Sequence, residues 1–186
     1  MSGAPKANRG PSAGPANRRA LIDAARDVFA DAGYTAPLSA VARKAGVGQG
    51  SLYRHFPDRV ALAVAVFDDN LADLESVAAG PDATIDDLLD RVAAQITVAA
   101  GLVELILTEQ QDERVIGFQE RLAAVAATVL ERQRSNGQVG PGVTADDVVI
   151  AVAMLAATLP RLPEDQRSAA AARARALFAV AFRGLG

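Results

Sequence analysis

"VARKAGVGQGSLYRHF", residues 41–56, sets Gly46, Gly48 and Gly50 at alternate positions. Glycines so spaced suit either a loop that cradles a phosphate or the tight turn between two short helices. A phosphate loop of either common kind follows a strand, which puts its glycines at a sheet edge and aims the next helix at the phosphate. Here Leu38, Val41, Ala42 and Ala45 repeat at helical spacing before the glycines, and Gly50 leads into Ser51 and Leu52 rather than Lys and Ser/Thr. The stretch therefore reads as a helix-turn-helix unit. Gly46 supplies a left-handed turn residue, and Val41, Ala42, Val47 and Leu52 pack the unit together. Gln49, Ser51, Tyr53, Arg54 and His55 are left facing outward, and Gly50, having no side chain, lets the second helix approach a DNA backbone.

The rest of the chain agrees with an all-α class. Of its 186 residues 51% are apolar but only 4% aromatic, and the apolar share is mostly Ala, Val and Leu, which suits closely packed helices. Apolar periodicity predicts about nine helices and no strand. The first takes in Leu21, Ala25, Val28 and Phe29 and stops at Gly33; the second opens at Pro37 and ends at Gly46; the third is Gln49 to Phe56. A long helix restarts at Asp58. Thr84 with Asp87, and Thr144 with Asp147, have the spacing of capping boxes. They open a helix running through Ile85, Leu88, Leu89, Val92 and Ile96, and the apolar helix Val148–Leu159. Gly101 is expected to break the former, with a brief apolar segment after it; Val115–Arg134 and Glu164–Leu185 are further helices. The acids Asp82, Asp86, Asp87 and Asp90 suit a helix N-terminus through its dipole.

Absence of Cys excludes disulfides, thiolate metal sites and cysteine nucleophiles, and His55 as the only histidine argues against a zinc site. No metal or cofactor is expected. The longest apolar run, Val148 to Ala157, falls short of the roughly 18–20 residues a membrane span requires, so no membrane partner is expected and the location is read as cytoplasmic. Ser51 and His55 stand four apart on one helix face, but no acid is placed to orient the imidazole, so a nucleophile pair is disfavoured.

Net charge is −3, unevenly spread. Residues 1–59 hold nine Lys and Arg against four acids, net +5, while the remainder holds ten against eighteen, net −8. A basic head on an acidic body suits a DNA-binding module joined to a domain with another task. Residues 1–17 read as a disordered basic arm, 18–59 as the helix-turn-helix domain and 60–186 as a ligand-binding and dimerisation domain.

The stretch "GYTAPLSAVARKAGVGQGSLYRHFPDRVAL", residues 33–62, resembles the DNA-binding head of the TetR (tetracycline-repressor-like) family of transcriptional regulators. "AGV", "GSLY", "HFP" and "AL" carry the resemblance, which covers about Arg18 to Phe67. It implies a three-helix head on a helical-bundle body and a homodimer whose recognition helices, here Gln49–His55, enter successive major grooves of a two-fold operator. It further implies a repressor, not an enzyme, released from double-stranded DNA by a small-molecule effector. Departures are Pro37 where the family often caps with Ser or Thr, Gly48 where Ser is frequent, and Arg59 where Lys is frequent.

Roles follow by residue chemistry. Gln49, Ser51 and Arg54 suit base edges: Gln pairs with adenine, Arg with guanine, Ser with either. Tyr53 and His55 match the family's phosphate-contacting pair, with Ser39, Lys44 and Arg59 nearby and Gly50 at close approach. Arg18 and Arg19 either enter a minor groove or belong to a linker that aids encounter. Phe67, Leu71, Ile96, Leu102, Leu105, Ile106, Phe118, Leu122 and Met154 are candidates to line a ligand cavity, and each equally suits an ordinary core. Glu104 and Glu109 either receive a cationic ligand or lie on an exposed helix face. Val148, Val152, Leu155, Leu159, Leu177, Phe178, Ala181 and Phe182 offer apolar stripes for a four-helix dimer interface. An enzyme built on the helical body and an adaptor for a protein partner are the competing readings; neither has a residue constellation to support it.

Overall fold

The computed structural model describes residues 13–95 and 104–184. All regular structure among them is helical: α1 (Ala13–Ala32), α2 (Leu38–Lys44), α3 (Gln49–His55), α4 (Arg59–Ala78), α5 (Ile85–Ala94), α6 (residues 104–108), α7 (Glu113–Ser135), α8 (Ala145–Thr158) and α9 (Glu164–Gly184). A 3-10 turn, Leu159–Arg161, with Pro160 inside it, separates α8 from α9.

Helices α4, α5, α7 and α8 begin where the sequence supplies a side-chain cap. Asp58 accepts the Ala61 N–H at 2.8 Å to open α4, and Asp112 accepts that of Arg114 at 2.9 Å to open α7. Thr84 and Asp87 cap α5 reciprocally, as Thr144 and Asp147 cap α8. Helix α1 starts earlier than its apolar pattern indicates, so residues 13–17, read from sequence as part of the arm, are helical. Pro15 does not prevent this, because first-turn N–H groups have no partner within a helix and a proline there removes none. The expected extension of α5 through Ile96 stops at Ala94; Ile96, the Gly101 break and residues 1–12 lie outside the described residues.

Helices α1 to α3 and the start of α4 form the head around Leu21, Phe29, Val41, Leu52 and Phe56, all buried. Helix α4 continues into the body, packing most extensively on α7, while α8 lies against both α5 and α7 and α9 against α5. One apolar core, from Leu21 through Phe67, Leu71, Leu89, Val115 and Val129 to Leu155, joins the two halves. It contains no buried polar or charged residue among those described.

Candidate nucleic-acid interface and ligand cavity

Helix α3 is anchored by one side chain. Leu52 is buried against α1 and α2, while Gln49, Gly50, Tyr53 and Arg54 are exposed and Ser51 and His55 half-buried. The turn before it rests on Gly46, whose φ of +65° only glycine adopts cheaply, and Val47 N–H donates to the Ala42 carbonyl at 3.0 Å to close the bend. A Cβ built on Gly48 or Gly50 meets nothing within 4 Å, so the fold of the protomer does not require glycine at either position. Gly48 caps α3 with no side-chain hydrogen bond, leaving the first N–H groups of the helix on the outer surface.

The other sequence-selected polar residues divide. Ser39 is exposed in the first turn of α2, and Lys44 is exposed beside Asp27 with Nζ to carboxylate 2.9 Å. Arg18 lies over the Phe56 ring at 5.3 Å, and Arg19 and Arg26 share Asp69. Arg59, expected at a phosphate, is instead an internal brace. Its guanidinium donates to the carbonyls of Tyr34 and Ala36 and stands 5.6 Å from the Tyr34 ring centroid. Those carbonyls belong to the loop before α2, where few helix bonds are available to them, so the cation closes the α1–α2 connection from within.

Tyr34 is the centre of a joint between head and body. Its backbone N–H donates to Glu104 at 2.9 Å and its hydroxyl to Glu109 at 3.3 Å. The two glutamates are thus neither a cation receptor nor an exposed face; two acids in an otherwise apolar segment were the available signal. Burial, then the neighbouring Glu109 carboxylate, push the Tyr34 hydroxyl well above the usual phenol range. Gly33, at φ +79°, sits so close that an added Cβ would come 3.2 Å from the Glu104 carboxylate. A second tie runs from Arg114 to Asp58 at 3.0 Å and to Asp112 at 2.6 Å. The Arg114 hydrogen bond holds the Asp112 carboxyl down to about 2, and the two acids together raise the Arg114 guanidinium.

Within the body, α4, α5, α6, α7 and α8 surround a cavity of about 400 Å³. Phe67, Leu71, Ile106, Phe118 and Leu122 line it, as do Leu74, Val92, Val149 and Val152, with Asn70, Gln95, Gln119, Glu120 and Asp146 as its polar members. Neither Ser51 nor His55 is among them. Two residues assigned to this cavity from sequence lie elsewhere: Leu105 is buried facing away from it, and Met154 is 54% exposed on the opposite side of α8. Ile96 and Leu102 lie outside the described residues. Sequence reading missed Asn70, although an amide one turn from both Phe67 and Leu74 interrupts that apolar face.

The apolar stripes of α8 and α9 also need correction. Val148, Leu155, Leu159 and Phe182 are inside the protomer core, and Val152 faces the cavity, so they cannot meet a second copy. The large apolar side chains left outside are Ile150 and Met154 on α8 and Leu177 and Val180 on α9, with Ala181 also exposed and Phe178 half-buried. Leu177 and Ala181 alone of the sequence-selected set are fully on that outer face. Because α8 is apolar nearly all round, its period does not separate the inward stripe from the outward one.

Residues 21–66 match the family of bacterial regulatory proteins described as tetR family. A 58-residue stretch is 41% identical to the A-factor receptor protein of Streptomyces griseus, covering 31% of this chain and about a fifth (21%) of that protein. Among solved structures, a TetR transcriptional regulator from Streptomyces coelicolor is 27% identical, with a TM-score of 0.58 over 89% of this chain and 98% of that one. The regulator FadR from Bacillus subtilis, in complex with stearoyl-CoA, is 19% identical with a TM-score of 0.64 over 90% and 99%, a likeness of fold.

Proposed function

We propose that this chain, a TetR-family regulator by its head and by its fold, binds a two-fold operator as a homodimer and is released by a small molecule held in the body. The observation that carries the reading is the outward face of α3, where Gln49, Gly50, Tyr53 and Arg54 stand exposed around the single anchor Leu52. Gln49, Ser51 and Arg54 read base edges; Tyr53, His55, Lys44 and Ser39 position the head on phosphates, and Gly48 and Gly50 admit the backbone closely. Arg59 supports that surface from inside. The chain works in the cytoplasm and represses. The dimer forms through Ile150, Met154, Leu177, Val180 and Ala181, setting the two α3 helices about one turn of DNA apart, ~34–36 Å.

Release uses the joint. On the short helix α6, Ile106 and Leu107 line the cavity while Glu104 grips the head at Tyr34. A ligand that displaces α6 therefore moves the head, and its preference for the displaced state sets how far DNA affinity falls. Selection of bound fragments from genomic DNA, followed by gel shift across a salt series, tests the reading. Specific, salt-sensitive retention of a fragment with two-fold sequence symmetry is expected. No retention above that of random DNA at low salt would overturn it.

A further inference from the structure

We infer that the effector is an apolar molecule without an anionic group, carrying a hydrogen-bond donor that meets Asn70; this rests on the reading of the cavity as the effector site. The polarity of Asn70 is set by a relay. Asp73, ion-paired with Arg91, can only accept, so the Gln95 amide turns its Nε2 toward that carboxylate at 3.0 Å. The Gln95 oxygen then faces Asn70, whose Nδ2 donates to it at 2.7 Å. Both amide donors of the relay are thus engaged within the protein, and Asn70, a member of the cavity wall, keeps its Oδ1 buried and without a partner among the described residues. A buried acceptor left unpaired is unfavourable, and a ligand hydroxyl, amide or amine on it removes that deficit.

The remaining wall selects by charge. Among the described residues no Lys, Arg or His lines the cavity, and the two ionisable members of its wall, Glu120 and Asp146, are acids. A carboxylate or phosphate entering it would lose hydration and gain no cation, whereas an uncharged group loses far less hydration and a cationic one can pair with Glu120 or Asp146. The volume of about 400 Å³ lies in the range of small-molecule sites. An apolar body with one donor therefore fits what the walls offer.

Competition with the fluorescent probe N-phenyl-1-naphthylamine on the full-length protein, at pH 7.5, compares three ligands of one chain length: 1-decanol, decylamine and decanoate. Decanol and decylamine are expected to displace the probe at concentrations about tenfold below those decanoate requires. Asn70→Leu should weaken decanol about five- to tenfold. Glu120→Lys, at an exposed position, should tighten decanoate about fivefold and leave decanol unchanged. Decanoate equal to or better than decanol on the unaltered protein overturns the inference and leaves the cavity's role standing. Failure of the probe and all three ligands to bind overturns both, while DNA retention measured on the same preparation still reports on the head separately.

Discussion

Arg54 and Arg59 lie five residues apart and carry the same charge, yet the structure gives them different tasks. Arg54 is exposed on α3, so Arg54→Ala should cost about 1–3 kcal/mol on the operator and far less on random DNA, as measured by competition gel shift. Equal losses on both would remove it from base reading. Arg59→Ala should instead lower folding stability by about 1–3 kcal/mol in chemical denaturation, because the Tyr34 and Ala36 carbonyls lose a charged donor. The salt dependence of DNA binding should then keep its slope, since no phosphate contact is lost. Gly33→Ala combines a left-handed backbone with a close approach to Glu104 and should destabilise by about 1–2 kcal/mol in the same assay.

Helix ends show where electrostatics acts. Asp112 titrates near 2 in the folded chain against an ordinary value of 3.8, so its bond to Arg114 stabilises the native state fully above about pH 4. That contribution disappears as pH falls through about 2. Acid denaturation followed by circular dichroism should show Asp112→Asn less stable than the unaltered chain at pH 5, with the difference narrowing through pH 2 and closing below it. Caps of this kind are legible in sequence because donor and acceptor lie within three residues: Thr84 with Asp87 and Thr144 with Asp147 were readable for that reason. The outward face of α3 was readable too, since one Leu among polar neighbours leaves no doubt which side is buried. Arg59 was not, because its partners are backbone carbonyls, which no residue type announces. Nor was the Tyr34 joint, whose hydrogen bonds span 70 and 75 residues of sequence. Along α8 the failure has another cause: with apolar residues on every face, Val148 and Leu155 look no different from Ile150 and Met154 until the packing is seen.

Adjacent residues on α8 separate folding from assembly. Leu155 is 2% exposed, and Leu155→Ala should lower stability by about 2–5 kcal/mol. Met154 is 54% exposed, and Met154→Glu should leave the helical content unchanged while sedimentation shows monomers and operator affinity falls steeply. A variant that stays dimeric would place the interface elsewhere. The joint at Tyr34 bears on a different undertaking, the grafting of this sensor body onto a foreign head to build a regulator with a chosen operator. A cut made anywhere between residues 34 and 58 would part Glu104 from the Tyr34 backbone N–H and Glu109 from the Tyr34 hydroxyl, while Asp58 stays with Arg114 on the body side, yielding a hybrid that still folds and still recognises DNA but is deaf to its inducer. Transplants should therefore carry Gly33, Tyr34, Asp58 and Arg59 in the donor head, or exchange only Gln49 to Arg54 and leave the rest of the circuit in place.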